Sequence, residues 1–192
     1  MRKLKLQVQV SIDGFIAGPN GEMDWMVWDW DDALKDYVSK LTDSVDTIVL
    51  GRKLAQEFIP YWENVALDEK NPEWDFGKLM TIYRRVVFSK TLPRKAPWKN
   101  VEVVSEDLNI AMRKLKEEKG RDIIAYGGSS FVSSLIKEDL VDEYYLFVNP
   151  AVLGRGLPIF QSVERKLDFK LHECLRFDCG IALLHYQKGK TG

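Results

Sequence analysis

The sequence is poor in cysteine and histidine, with 2 of each among 192 residues, and it has almost no net charge. Cys174 and Cys179 flank a predicted turn, and neither a disulfide-stabilised scaffold nor a metal site is expected from so few ligands. The 28 basic and 29 acidic residues nearly cancel, which argues against nucleic-acid binding as the main role. No segment reaches the roughly 18 apolar residues of a membrane span, and the charged N-terminus lacks a signal-peptide pattern. We therefore expect a cytoplasmic protein without nucleic-acid or membrane partners.

Hydrophobic patterning predicts strands that alternate with helices up to residue 150. The predicted strands are 4–10, 46–50, 83–88, 101–104, 122–126 and 142–148, and the predicted helices are 31–41, 52–59, 105–119 and 129–140. This alternation predicts a three-layer αβα fold with a mixed, mostly parallel sheet and helices on both faces. Two further runs, 168–177 and 181–187, predict a C-terminal antiparallel hairpin. We expect residues 1–192 to form a single domain.

Capping residues and helix breakers set the predicted helix boundaries. Asp31 and Ser105 are typical N-caps for the first and third helices, and Pro60 should stop the second helix near Ile59. The segment 60–80 is polar, aromatic and irregular in pattern. It is either a flap over a binding site or a surface excursion.

Three predicted strands end in turns of the same kind, rich in glycine, hydroxyl or basic residues. In open α/β sheets, ligands bind at the carboxyl ends of the strands, where helix N-termini offer free N–H groups to anions. The glycine turn suits a pyrophosphate and the basic turns suit a second phosphate. Two phosphate sites on one edge predict a dinucleotide, NADPH rather than NADH, although the G-x-G-x-x-G fingerprint is absent. The predicted cofactor-binding residues are Gly51, Arg52, Lys53, Ser89, Lys90, Thr91, Gly127, Gly128, Ser129 and Ser130.

Five segments follow one another along the chain: SIDGFIA (11–17), LGRK (50–53), VFSKTL (87–92), IAYGGS (124–129) and PAVLGRGLPIF (150–160). As a set they resemble the dihydrofolate reductase-like fold, and most of all the C-terminal reductase domain of the bifunctional riboflavin-biosynthesis deaminase-reductase. The resemblance implies that the residues above bind NADPH and that the backbone of Ile16 and Ala17 meets the nicotinamide carboxamide. It also implies a homodimer, with the terminal hairpin and the 150–160 loop as candidate contacts. Leu54 departs from the family, which usually carries Thr there.

A proton donor is needed beside the acceptor nitrogen when a hydride reduces a C=N bond. Dihydrofolate reductases carry a carboxylate on the first helix, and its counterpart here lies among Asp29, Asp31 and Asp32. We favour Asp32, because Asp31 is the expected N-cap; the alternative is that all three are exposed charges at a helix start. Asp13 is a second candidate, with an Asx-turn as its alternative role.

Aromatic residues are dense in two segments expected to border the site: Trp25, Trp28, Trp30, Tyr61, Trp62 and Trp74. They either stack on a flat ring or serve core packing or a dimer contact. Gln9 should face the nicotinamide side of the site, where it is unusually polar. The sequence leaves two hypotheses: an NADPH-dependent reductase acting on a small pyrimidine or pterin ring, and a nucleotide- or ligand-binding protein on the same fold without turnover.

Overall fold

Strands and helices alternate along residues 1–189, the part of the chain that the computed structural model describes. In chain order the elements are β1 (Leu4–Val10), β2 (Phe15–Ala17), α1 (Asp32–Asp43), β3 (Val45–Gly51), α2 (Arg52–Val65), α3 (Trp74–Ile82), β4 (Arg84–Phe88), β5 (Val101–Val104), α4 (Leu108–Glu117), β6 (Asp122–Ala125), α5 (Ser129–Lys137), β7 (Glu143–Val148), β8 (Leu157–Pro158), β9 (Phe169–Arg176) and β10 (Ala182–Lys188).

Eight strands form one sheet in the order β5-β4-β3-β6-β1-β7-β10-β9. The first six are parallel to one another, whereas β10 is antiparallel to both β7 and β9. The carboxyl ends of the six parallel strands therefore meet at one edge, and we call the residues that follow them the carboxyl rim. Because β10 runs the opposite way, the turn between β9 and β10 joins the same rim. The predicted, mostly parallel sheet with a C-terminal hairpin is confirmed.

Helices cover both faces of the sheet, which confirms the three-layer α/β architecture. On one face, α4 and α5 bury Met112, Leu115, Val132 and Leu135 against the strands. On the other face, α1, α2 and α3 bury Leu34, Val38, Ile59 and Met80. Within residues 1–189, no helix is long and apolar enough to cross a membrane.

Alternation along β1 assigns its side chains to the two faces. Its apolar residues are buried in the cluster under α4 and α5: Leu4, Leu6, Val8 and Val10. Because side chains alternate along a strand, Lys5, Gln7 and Gln9 face the α1–α2 side. Each buried aliphatic side chain contributes about 1.5–3 kcal/mol, so a register slip of one residue would be strongly unfavourable. The end of β1 therefore presents a polar side chain toward α1 and α2.

The helix break predicted at Pro60 is wrong. The prediction that residues 60–80 are irregular is also wrong, because most of them are helical. α2 continues through Pro60 to Val65, and α3 follows. Proline removes the hydrogen bond to the carbonyl of Gln56, but Gln56 is exposed, so water can satisfy that carbonyl. The side chain of Trp62 packs on Phe76 of α3 with ring centroids 5.0 Å apart. This packing holds the last turn of α2 despite the proline.

Two further boundaries differ from the prediction. Asp31 caps α1 as expected, but Asp107 rather than Ser105 caps α4, because its carboxylate accepts from the first free N–H groups of that helix. A short strand that was not among the predicted ones, β2, forms within residues 11–21 and pairs with β8. The segment 11–21 is therefore fixed to the rim by backbone hydrogen bonds.

Candidate functional site

The three turns predicted to bind phosphate lie side by side on the carboxyl rim. β3 pairs with β4 on one side, where Gly51 is opposite Phe88, and with β6 on the other. Residues 51–53, 89–91 and 127–130 directly follow these three strands. The structure therefore brings together all the residues that the strand-end pattern singled out.

Two helices begin on this rim without a side-chain cap. α2 starts after Gly51 and α5 after Gly128, and neither glycine has a side chain that can accept a hydrogen bond. In contrast, α1 and α4 are capped by Asp31 and Asp107. The uncapped α3 begins near Ala66, at the far end of α2. The rim therefore presents free N–H groups and the positive ends of two helix dipoles.

Glycines allow these two helix N-termini to come close together. A Cβ atom on Gly51 would lie 2.7 Å from the Cβ of Phe131 in α5, which is too close for any other residue. Gly127 and Gly128 have φ angles of 149° and 81°, where glycine is favoured. Leu54 lies over this turn, with its Cδ2 3.8 Å from where a Cβ of Gly127 would stand. The start of α2 therefore lies close to the glycine turn, and the apolar side chain of Leu54 borders that turn.

Three basic side chains on the rim make no ion pair within residues 1–189: Arg52, Lys53 and Lys90. Arg52 is half-buried, and its one side-chain hydrogen bond within the described residues is to Gln56 of its own helix, at 3.5 Å. Elsewhere the cations are commonly paired, as Arg84 is with two glutamates. The rim therefore carries three positive charges that form no ion pair within the described part of the chain, which suits an anionic group.

Two of the four hydroxyl groups on the rim bind backbone groups, and the other two are exposed. Ser89 Oγ accepts from the N–H of Thr91 at 3.1 Å and so closes its turn. Ser129 Oγ donates to the carbonyl of Pro158 at 3.0 Å. Thr91 and Ser130 are exposed, so their hydroxyls remain accessible to a ligand.

Ile16 and Ala17 lie in β2, which is joined to the start of α5. β2 pairs with β8, and β8 ends at Pro158, the acceptor of the Ser129 hydroxyl. A Cβ at Gly156 would collide with the carbonyl oxygen of Ala17, so the two backbones are in close contact. The segment predicted to meet the nicotinamide is therefore held beside the glycine turn.

A cavity of about 340 Å³ opens between α4 and α5 next to the same rim. This volume is at the lower end of small-molecule sites. Its apolar walls are formed by Phe88, Val104, Leu108 and Phe131. Its three acids already have partners, because Asp107 caps α4, Glu106 pairs with Lys114 at 2.6 Å, and Glu138 accepts from the side chain of Asn109 at 3.0 Å. The cavity therefore lies beside the phosphate-type turns and offers both apolar walls and polar side chains to a ligand.

The carboxylate of Asp13 accepts hydrogen bonds from residues of two loops. It accepts from the hydroxyl of Ser11 at 2.6 Å and from the N–H groups of Leu153 and Gly154 at 3.2 and 2.7 Å. These hydrogen bonds, that of Ser11 above all, hold the pKa of Asp13 below its usual range. The catalytic role considered for Asp13 stays a prediction, and its contacts favour the alternative of a loop-fixing residue.

The acids before α1 differ in their contacts. Asp31 accepts from the N–H of Leu34 at 2.8 Å and from the N–H of Cys179 at 2.9 Å. These two bonds hold the pKa of Asp31 below its usual range. Asp29 and Asp32 are exposed. The role of Asp32 as proton donor stays a prediction.

Asn149 is a rim residue that sequence reasoning missed. It follows β7 and is fully buried, its Oδ1 accepts from the N–H of Val27 at 2.8 Å, and its Nδ2 donates to Gln9 Oε1, also at 2.8 Å. The pair fastens the segment before α1 to the ends of β1 and β7. The rule applied to the other strand ends, that polar residues after a buried strand lie on the rim, would have found it.

The six aromatic residues expected near the site fall into two groups. Tyr61, Trp62 and Trp74 belong to the contact between α2 and α3, where Trp62 packs on both Tyr61 and Phe76. Trp25, Trp28 and Trp30 precede α1 in the segment that Asn149 holds, and Trp28 is 62% exposed. The contact between α2 and α3 therefore accounts for the first group, whereas the second lies near the rim.

Comparison with known proteins identifies relatives over the whole chain. A family model described as the RibD C-terminal domain matches residues 2–183. The protein YyaP of Bacillus subtilis (strain 168) is 34% identical over 191 residues, which cover 96% of this chain and 94% of YyaP.

Two solved structures share the architecture. A Shewanella sp. PV-4 protein assigned provisionally to riboflavin biosynthesis has a TM-score of 0.73 at 22% identity, over 99% of this chain and 100% of that one. The diaminohydroxyphosphoribosylaminopyrimidine deaminase/5-amino-6-(5-phosphoribosylamino)uracil reductase of Thermotoga maritima has a TM-score of 0.69 at 19% identity, over 98% of this chain and 57% of that one. These similarities confirm the predicted fold. The match of the family model over residues 2–183 establishes that this chain belongs to the RibD C-terminal domain family.

Proposed function

We propose that the protein is an NADPH-dependent reductase that transfers a hydride to a small pyrimidine- or pterin-type ring. One observation carries the proposal. Two helix N-termini without a side-chain cap and three cations without an acidic partner among residues 1–189 lie at adjacent strand ends, which is the charge arrangement that a pyrophosphate and a further phosphate require.

The rim residues fit the separate parts of NADPH. Residues 127–130 and the start of α2 would hold the pyrophosphate through backbone N–H groups. Arg52, Lys53 and Lys90 would hold the 2′-phosphate. The cavity between α4 and α5 suits the adenine ring, and the backbone of residues 16–17 is near enough to the glycine turn to meet the nicotinamide carboxamide.

Reduction of a C=N bond places a hydride on carbon and a proton on nitrogen. Bound NADPH would supply the hydride and leave as NADP⁺. The chain would orient the ring through the side chains at the ends of β1 and β7, and the segment before α1 would shield the ring from bulk water. Asp32, or a water molecule at the rim, would deliver the proton.

The names of similar proteins support a pyrimidine substrate. The Thermotoga protein is named as a reductase of an aminouracil, and the matching family model is named for a domain of RibD. Because the chain spans 57% of the Thermotoga protein at 19% identity, the aminouracil remains a proposal for this chain. Its discriminating test is turnover.

The experiment has two stages. Calorimetric titration should give tighter binding for NADPH than for NADH, because only NADPH carries the 2′-phosphate. Loss of NADPH absorbance should then accompany incubation with at least one member of a panel of oxopyrimidines and pterins. Absence of NADPH binding would refute the cofactor proposal.

A second candidate is a nucleotide-binding protein without turnover. Leu54 favours it, since an apolar side chain covers the glycine turn where the family usually has a hydroxyl. NADPH binding without oxidation across the panel would support this candidate. Turnover of a single substrate would exclude it.

We expect the protein to be a homodimer. β9 is an edge strand of the sheet, and its apolar side chains Phe169 and Leu171 are 36% and 50% exposed. An edge that offers both unpaired backbone and apolar surface favours association. Light scattering after gel filtration should give twice the mass of the chain.

A further inference from the structure

The orientation of the Asn149 amide follows from two backbone partners. The N–H of Val27 can only donate, so the atom it meets at 2.8 Å is Oδ1. The carbonyl of Phe147 can only accept, so the atom that it meets at 3.2 Å is Nδ2. An interchanged amide would set donor against donor and acceptor against acceptor. The second N–H of Asn149 is therefore committed to donating toward Gln9.

Gln9 takes its own orientation from this donor. The Gln9 atom 2.8 Å from Asn149 Nδ2 must accept, so it is Oε1. Nε2 therefore points away from Asn149, and it donates to no other group within residues 1–189. Gln7 Oε1 is buried and has no hydrogen-bond partner among the described residues. Gln9 Nε2 is not buried in this way, so a ligand can reach it. Two N–H donors of a fixed side chain are thus free at the end of β1.

These donors lie where the proposed ring would be oriented. Gln9 precedes the last residue of β1, opposite Phe147 of β7, and its side chain faces α1 and α2. The same Asn149 amide fastens Val27, which lies between Met26 and Trp28 in the segment before α1. The free donors, the aromatic segment and the rim are therefore linked by one buried residue.

We propose that Gln9 determines substrate specificity by donating to a carbonyl oxygen of the bound ring. The substrate class is then an oxo-substituted heteroaromatic ring, and a ring with an amino group at that position is rejected. The inference rests on the proposed function in one respect, because it assigns the ring site to the rim of the reductase. Gln9 itself cannot release a proton at physiological pH, so its role is recognition.

The magnitude follows from the cost of leaving donors unpaired. If a ring amino group faced Gln9, its N–H groups would meet the N–H groups of Gln9 Nε2, and no hydrogen bond could form. Unsatisfied donors of this kind weaken binding by about fivefold or more. Selection of this kind is strongest when the site residue cannot rotate to accommodate the wrong ligand. Asn149 prevents that rotation here.

The test uses two probes on one frame, pteridine-2,4-dione (lumazine) and pteridine-2,4-diamine. Fluorescence titration of the full chain should give at least about fivefold tighter binding for the dione. Gln9→Glu keeps an acceptor for Asn149 but turns a second acceptor toward the ring, so it should reverse the preference. Gln9→Met removes both polar atoms and should abolish the preference.

A second variant leaves Gln9 in place. Asn149→Asp keeps the acceptor for Val27 but loses the donor toward Gln9, so Gln9 can turn its Nε2 to the new carboxylate and its oxygen to the ring. The preference should again reverse, as it would not if Asn149 acted only in packing. If this buried variant does not fold, the Gln9 variants still decide. Gln161→Glu, on the exposed surface, makes the same chemical change away from the rim and should keep the wild-type preference.

Failure of this inference and failure of the proposed function give different results. Equal binding of the two probes to the wild type, no binding of either, or a Gln9→Glu variant that still prefers the dione would overturn the role of Gln9. None of these outcomes bears on NADPH binding, which calorimetry measures without a ring ligand. Absence of NADPH binding with a preserved dione preference would overturn the reductase proposal and leave ring recognition by Gln9 standing.

Discussion

Replacing Arg52 by alanine should remove most of the preference for NADPH over NADH. Arg52 is at the first position of α2, half-buried and without an acidic partner among the described residues, so its loss breaks no internal ion pair. A hydrogen bond to a charged group contributes about 1.5–3 kcal/mol, which corresponds to NADPH binding weakened by about 10- to 150-fold. NADH lacks the 2′-phosphate, so its affinity should change little.

Thermal unfolding turns this difference into a temperature shift. At a ligand concentration of about 100 times Kd, NADPH would stabilise the protein by about 2.7 kcal/mol, or about 5–11 °C for a domain of this size. If Kd rises tenfold, about half of the stabilisation remains, and if it rises a hundredfold, about one sixth remains. The shift with NADH should be the same in both proteins.

Arg165→Ala is the matched control. Arg165 is exposed and pairs with Asp139 at 2.8 Å, beyond the C-terminal end of α5 and so at the opposite edge of the sheet. The variant removes the same charge far from the rim and should keep both ligand shifts. If Arg52→Ala weakened NADPH and NADH equally, or if Arg165→Ala reproduced its effect, a direct contact between Arg52 and the 2′-phosphate would be refuted.

Three further predictions concern stability and catalysis. Gly51→Ala should lower the melting temperature by several degrees, because its Cβ would stand 2.7 Å from the Cβ of Phe131 and overpacking costs about 1–3 kcal/mol; an unchanged melting curve would contradict this. Burial raises the pKa of Glu143, but hydrogen bonds, that from Lys3 foremost, outweigh burial and hold the pKa below its usual range. The free energy of unfolding should therefore decline as the pH falls below about 4.3, and urea titrations should show a shallower decline in Glu143→Gln. Asp32→Asn should lower kcat by about a hundredfold or more if Asp32 delivers the proton, with NADPH affinity unchanged; a normal kcat would assign the proton to water.

Local sequence patterns predicted the structure correctly where short-range geometry determines it. The alternation of Leu4, Leu6, Val8 and Val10 defines β1 because period two matches the pleat of a strand. Asp31 caps α1 because its side chain reaches the N–H of the third residue beyond it. The strand-end turns lie together because parallel strands in adjacent positions must end at the same edge. Each of these inferences needs only short-range geometry.

Long-range contacts decided the rest. Pro60 lies inside α2 because Trp62 packs on α3, which is a tertiary contact that overrides a local preference. Asn149 holds Gln9 and Val27 from positions that are far from both in the chain. No periodicity in the sequence marks such a pair. The side of the proposed site where a ring would be recognised was therefore the least accessible to sequence reasoning.

The position of the C-terminal hairpin affects how the chain can fold. β10 pairs along the whole of β7, and the N–H of Cys179 completes the hydrogen bonds of Asp31 at the start of the first helix. During synthesis, the N-terminal half leaves the ribosome long before these residues do. One oxygen of the carboxylate that caps its first helix then lacks a partner, and the outer edge of β7 has no neighbouring strand. Native structure around the rim can therefore be completed only after residues 169–188 have been synthesised, and truncations before residue 169 should yield collapsed, aggregation-prone chains rather than a smaller working domain.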